Sequence, residues 1–157
     1  MLPTPEEIRE MEHQHIKMSY NKIEELIYAG NNMCCQGHFE QELLSKGITA
    51  DISLEAEGLD NPQGVNYFFW FPWQEDTAPP LELINLALKV VDDLMAQNIK
   101  TYIHCKNGHG RTTTFLAFYF MRKKGLGVDE ALALVKQRRP SMHLNEIQKA
   151  FLRDFKK

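Results

Sequence analysis

Tyr102-Ile103-His104-Cys105-Lys106-Asn107-Gly108-His109-Gly110-Arg111-Thr112 places a cysteine and an arginine six positions apart, with two glycines between them and a hydroxyl directly after. A strand-forming run, Thr101 to Ile103, leads in, and an apolar stretch from Thr112 to Met121 leads out, so the loop joins a strand to a helix. Its backbone N–H groups can converge on one point. A helix N-terminus with a ring of amides favours a dianion, and the same field favours the thiolate of a cysteine at its centre. Gly108 and Gly110 allow backbone conformations and a close approach that side chains would obstruct. The guanidinium of Arg111 can grip two phosphoryl oxygens in a planar fork, which lysine cannot copy. Thr112 can donate its hydroxyl to the sulfur and ease its departure from a thiophosphate. An isolated free cysteine is by default a buried core residue; the coincidence of these constraints in a strand-to-helix context favours a phosphate trap with Cys105 as nucleophile.

Working outward, strands alternate with helices. Ile23 to Tyr28, Ile48 to Ser53 and Asn66 to Phe71 read as strands, with a helix around His38 to Ser45 and a turn region from Gly58 to Gly64 centred on Asn61-Pro62. Leu81, Ile84, Leu88, Val91 and Met95 recur at spacings of three and four, the mark of a helix with one buried face that ends near Asn98. After the phosphate loop and its helix come a helix from about Asp129 to Gln137 and a last one in which Ile147, Phe151, Leu152 and Phe155 share a face. Thr4-Pro5-Glu6-Glu7 is a capping-box pattern with proline at the first helical position, predicting a short N-terminal helix. The expected fold is α/β, a central mainly parallel sheet covered on both sides by helices.

The chain has 157 residues, enough for one domain with a proper core. Its net charge of −3 conceals an asymmetry: residues 1–100 carry 6 Lys+Arg against 17 Asp+Glu, and residues 101–157 carry 12 against 4. The positive part contains the phosphate loop, which favours anionic substrates. Three cysteines, two of them the neighbours Cys34 and Cys35, make no ordinary disulfide framework and point to a reducing compartment. Cys34, Cys35 and His38 lack a fourth ligand at metal-site spacing, and His13 and His15 offer no partner. No apolar run approaches membrane-spanning length. The expectation is a soluble cytoplasmic protein, monomeric, with no stable membrane insertion and no nucleic-acid partner.

His104-Cys105, the five residues that follow, and Arg111-Thr112 resemble the signature loop of the cysteine-dependent protein tyrosine phosphatase superfamily, and the short chain resembles its compact, atypical dual-specificity branch. Upstream, Lys46 to Leu54 is similar to that branch's early core strand and Pro72 to Pro79 to its general-acid loop. Downstream, Arg138-Arg139-Pro140 and Gln148 to Phe155 resemble its closing helices, with Arg139-Pro140 packing against the loop. The resemblance runs from about Asn21 to Phe155. It implies a phosphotyrosine-phosphatase-like fold in a single domain over residues 1–157, with residues 1–20 as a helical extension. It further implies phosphate binding by Lys106, Asn107, Gly108, His109, Gly110 and Arg111, and a His104 that orients the loop and supports the thiolate.

Phosphoryl transfer to sulfur needs an acid for the leaving oxygen. The branch's loop usually shows Pro-x-x-Asp, then one residue, then Thr-Ala-Pro or similar. In Phe71-Pro72-Trp73-Gln74-Glu75-Asp76-Thr77-Ala78-Pro79-Pro80, register puts Glu75 in the acid position and resemblance of chemistry favours Asp76. The other carboxylate could cap the helix starting near Pro79, and Trp70 and Trp73 could line the cleft. The implied reaction is metal-independent and cofactor-free hydrolysis of a phosphomonoester on a protein, at phosphotyrosine and, if the cleft is shallow, at phosphoserine or phosphothreonine. Lys106 and His109 resemble the basic positions of phosphoinositide-directed relatives, which makes a phosphorylated small molecule the alternative. A phosphate-binding pseudophosphatase has no need of the intact Cys105 and Arg111, and a rhodanese-type sulfur carrier fits neither the loop spacing nor Thr112.

Overall fold

The computed structural model describes residues 2–5, 7, 18–31 and 39–155. Five strands form one sheet: β1 (Tyr20–Glu24), β2 (Ile27–Asn31), β3 (Ile48–Glu55), β4 (Tyr67–Trp73) and β5 (Lys100–Cys105), in spatial order β1-β2-β5-β3-β4. Only β1 and β2 pair antiparallel; β2–β5, β5–β3 and β3–β4 are parallel. The α-helices among the described residues are α1 (Leu81–Ala96), α2 (Gly110–Lys124), α3 (Val128–Arg138) and α4 (Glu146–Asp154). Central strands of a parallel sheet are covered on both faces, so they read as nearly continuous apolar runs; β3 is buried at seven of its eight positions.

The larger core gathers Ile27, Ala29, Ile52, Leu54 and Ile103 of the sheet with Ile84, Ala87 and Val91 of α1 and Phe115 to Met121 of α2. Alternate strand residues Tyr28 and Tyr102 face the other way and join Leu43 and Ile48 in a smaller cluster. Helix α2 is buried at every position from Arg111 to Met121: its first turn buries Arg111 and three threonines, and from Phe115 to Met121 it is hydrophobic on every side. It ends on Arg122, Lys123 and Lys124, whose charges suit the negative end of the helix dipole, and on Gly125 in the left-handed region.

Four local expectations are corrected. The single strand from Ile23 to Tyr28 is two strands joined by the turn Glu25-Leu26, a hairpin with no Gly or Asn to announce it. The helix over His38 to Ser45 is, in its described part, a π-helical turn at Phe39–Leu43 followed by a 3-10 turn at Leu44–Lys46, ending at left-handed Gly47. On α1 the buried stripe is Ile84, Ala87, Val91 and Leu94, while Leu81 is 52% exposed. On α4, Ile147 is exposed and Gln148 takes the inward position with Leu152. The reciprocal bonds of the Thr4 capping box are present, Thr4 N to Glu7 Oε2 at 2.7 Å and Glu7 N to Thr4 Oγ1 at 3.2 Å. The remainder of that helix, and Cys34, Cys35, His13, His15 and His38, lie outside the described residues.

Candidate active site

The parallel register brings the C-terminal ends of β3, β4 and β5 to one edge: Ser53 lies opposite His104, and Glu55 opposite Trp73. Ligands in open α/β sheets bind beyond that edge. There the chain leaves β5 at Cys105, turns through residues 106–109, and enters α2 at Gly110. Gly108 has φ +71, and a Cβ on it would lie 2.5 Å from Gly30 C and 2.6 Å from Asn31 N, so the loop packs onto the end of β2 only because this residue has no side chain. Arg139, fully buried, donates from Nε to Gly108 O at 2.8 Å and from Nη1 to Asn21 Oδ1 at 2.8 Å, tying the loop to β1.

Cys105 is 2% exposed, at the base of a pocket of about 140 Å³. Thr112 Oγ1 donates to its Sγ at 3.0 Å. Arg111 is also 2% exposed and lines the pocket. Its Nη1 donates to Glu57 Oε1 at 2.7 Å, Glu57 Oε2 at 3.0 Å and Trp73 O at 2.8 Å. All three bonds end on one nitrogen, which leaves Nε and Nη2 as the parallel donor pair of the fork. Asn107, His109 and Gly110 line the pocket as well, whereas Lys106 is exposed and lies off it.

Glu75 and Asp76 both line the pocket and both are exposed. Glu75 Oε1 accepts from Asn107 Nδ2 at 3.1 Å. Asp76 sits at φ +60, and its carbonyl accepts from Asn145 Nδ2 at 3.0 Å. Neither carboxylate caps α1, whose N-cap is Pro80 with no side-chain bond. Trp70 and Trp73 are not among the residues lining the pocket, and their Nε1 groups donate to Glu55 O and Thr77 O. His143, Asn145 and Gln148 complete the pocket wall.

His104 bonds across the sheet instead of into the loop. Its Nε2 lies 3.1 and 3.3 Å from the two carboxylate oxygens of Asp51 on β3 and 3.6 Å from Asp60 Oδ2, and its ring stacks on Tyr102 at 5.4 Å. Burial opposes a proton on this imidazole, but Asp51, by charge and by hydrogen bond, with Asp60 and Glu55 behind it, outweighs burial and raises the pKa above the ordinary 6.5. Ligating atoms of Asp51, Asp60 and His104 lie within 4.8 Å of one another, a spacing open to a cation, but the short contact to Asp51 commits Nε2 to the ion pair. The folded state holds this proton more tightly than the unfolded chain does. Its contribution to stability is therefore complete below pH 6.5 and is lost as pH rises through the raised value. Asp51→Asn is expected to lower the His104 pKa, followed by NMR titration, and to cost about 3 kcal/mol in denaturant unfolding at low pH. An unchanged titration would remove Asp51 as the source of the shift.

The residues that sequence reasoning passed over are Asp51, Glu57, His143, Asn145 and Gln148. Glu57 had one weak signal, an acidic residue just past the end of a core strand. Asn145 stands three before Gln148, a capping-box spacing.

A family model described as "Dual specificity phosphatase, catalytic domain" matches residues 27–157. Mouse Protein phosphatase Slingshot homolog 3 is 28% identical over 117 residues, 73% of this chain and 18% of that protein. Phosphatidylglycerophosphate phosphatase PTPMT2 of Arabidopsis thaliana is 32% identical over 78 residues, 50% of this chain and 34% of that protein. The chain thus spans about a third or less of these curated relatives. Among solved structures, Tk-PTP in the active form superposes with a TM-score of 0.76 at 23% identity, covering 87% of this chain and 95% of that one, which shows a shared fold.

Proposed function

The chain belongs to the dual specificity phosphatase family, and from that premise we propose that it hydrolyses phosphomonoesters of proteins through a cysteinyl-phosphate intermediate. The observation that carries the reading is the buried Cys105 Sγ at the floor of a pocket whose wall holds Arg111, with Thr112 Oγ1 at 3.0 Å. Cys105 attacks phosphorus in line while the loop amides and the free edge of Arg111 hold the non-bridging oxygens. The acid protonates the leaving oxygen. Water then attacks the thiophosphate, the same carboxylate takes its proton, and inorganic phosphate leaves as the Thr112 hydroxyl supports the departing thiolate.

Asp76 is the proposed acid. Glu75 spends an oxygen on Asn107, whereas no donor among the described residues bonds the Asp76 carboxylate. A left-handed backbone at a residue with a Cβ is also the kind of strain that functional sites retain. His104, paired with Asp51 on β3, holds the end of β5 directly before the nucleophile. A cytoplasmic location belongs to the same reading, supported by the cysteine usage.

A phosphoinositide or inositol phosphate is the second reading. His109 and His143 line the pocket mouth, and a plant relative is named for a phospholipid phosphate; Lys106, off the pocket, lends it less. Turnover against phosphotyrosine peptides, phosphothreonine peptides and phosphoinositides decides between them, with the peptides expected to lead. In the same assay, Asp76→Asn is expected to slow poor leaving groups by about a hundredfold, with Glu75→Gln far milder. The reverse order would make Glu75 the acid, and phosphate binding without any turnover would mark a pseudophosphatase.

A further inference from the structure

The segment carrying Glu75 and Asp76 has no strand or helix of its own. Trp73 Nε1 donates to Thr77 O at 2.9 Å and Thr77 Oγ1 to Gln74 O at 2.7 Å, which folds the turn on itself but does not place it over the pocket. Placement comes from two amide side chains on other elements. Asn107 of the phosphate loop reaches the Glu75 carboxylate. Asn145 reaches the main chain, at the carbonyl of the one residue in the turn with a left-handed backbone.

We infer that Asn145 is a positioning residue that clamps the acid loop over the phosphate loop and thereby sets the aim of the proton donor. Its amide cannot turn round. Oδ1 accepts from Gln148 N at 2.8 Å as the cap of α4, so Nδ2 is obliged to face the Asp76 carbonyl at 3.0 Å. The cap is itself anchored: Asn145 N donates to Gln148 Oε1 at 3.3 Å, and Gln148 is buried so closely on Gly110 that a Cβ there would lie 2.9 Å from that oxygen. Asn145 and Gln148 together therefore link the helix bearing Arg111 to the loop bearing the acid. Because the grip is on the backbone, it acts whichever carboxylate gives the proton.

The inference rests on the phosphatase reading, and two substitutions separate the clamp from the cap. Asn145→Asp keeps an acceptor for Gln148 N and loses the donor; Asn145→Ser keeps a capping oxygen, adds no charge and is too short to reach Asp76. In both, kcat/KM for aryl phosphates with poor leaving groups is expected to fall at least about tenfold further than for good ones. Amide exchange over residues 74–78 should quicken, while thermal midpoints stay near that of the unsubstituted protein. Equal losses for all leaving groups, an unchanged leaving-group slope, or loss of folding in both variants would overturn the clamp. Turnover surviving Cys105→Ser, or none in the unsubstituted protein, would instead overturn the phosphatase reading. In that case the exchange measurement still decides whether Asn145 holds the loop.

Discussion

Replacing Cys105 by serine is expected to cut turnover by about ten-thousandfold or more, the scale on which a lost nucleophile acts, while inorganic phosphate still binds. Oxygen in place of sulfur keeps the Thr112 contact and the amide ring, so the cradle survives. What disappears is the sulfur nucleophile: a serine hydroxyl is too weak a nucleophile to attack phosphorus unaided, and no base lies within the described contacts of Sγ to activate it. Calorimetry with phosphate beside a turnover assay separates the two functions. Appreciable turnover by this variant would end the assignment of Cys105 as nucleophile.

Arg111→Lys is expected to lower kcat/KM by at least about a hundredfold, the loss that follows removal of transition-state donors. The geometry gives two reasons. Glu57 and Trp73 O fix one edge of the guanidinium through Nη1, so that Nε and Nη2 stand ready as a pair without further ordering. An ammonium group offers one nitrogen in place of three. It can answer Glu57 or a phosphoryl group, and serving the carboxylate leaves the substrate ungripped. Thermal unfolding measured alongside distinguishes this from collapse of the buried pair, since the retained positive charge still balances Glu57. Near-normal turnover would show that Arg111 is not the clamp.

Together these expectations describe a site with a rigid floor and an adjustable roof. The floor is the buried Cys105, Thr112 and Arg111, with the loop between them pinned at Gly108 by the buried Arg139. The roof is the exposed turn of Glu75 and Asp76, held by single hydrogen bonds from Asn107 and Asn145.

The strand-to-helix loop proposed to bind phosphate could be placed from the sequence because everything that marks it is local. Nucleophile, glycines, arginine and hydroxyl lie within eight residues, bracketed by a strand-forming run before and an apolar stretch after. The same locality made the alternation of strands and helices readable, and with it a mainly parallel sheet. The hairpin at Glu25-Leu26 escaped because its turn carries no residue that demands a special backbone, and the exposure of Leu81 and Ile147 escaped because periodicity names a stripe without saying where its ends leave the core. The partners of the site were settled only by tertiary structure. Glu57 meets Arg111 across 54 positions, Asp51 meets His104 across 53, and Asn145 meets Asp76 across 69. Such pairings depend on which strands lie side by side and in what register, and strand order β1-β2-β5-β3-β4 is set by burial summed over the whole sheet, which no window of sequence contains.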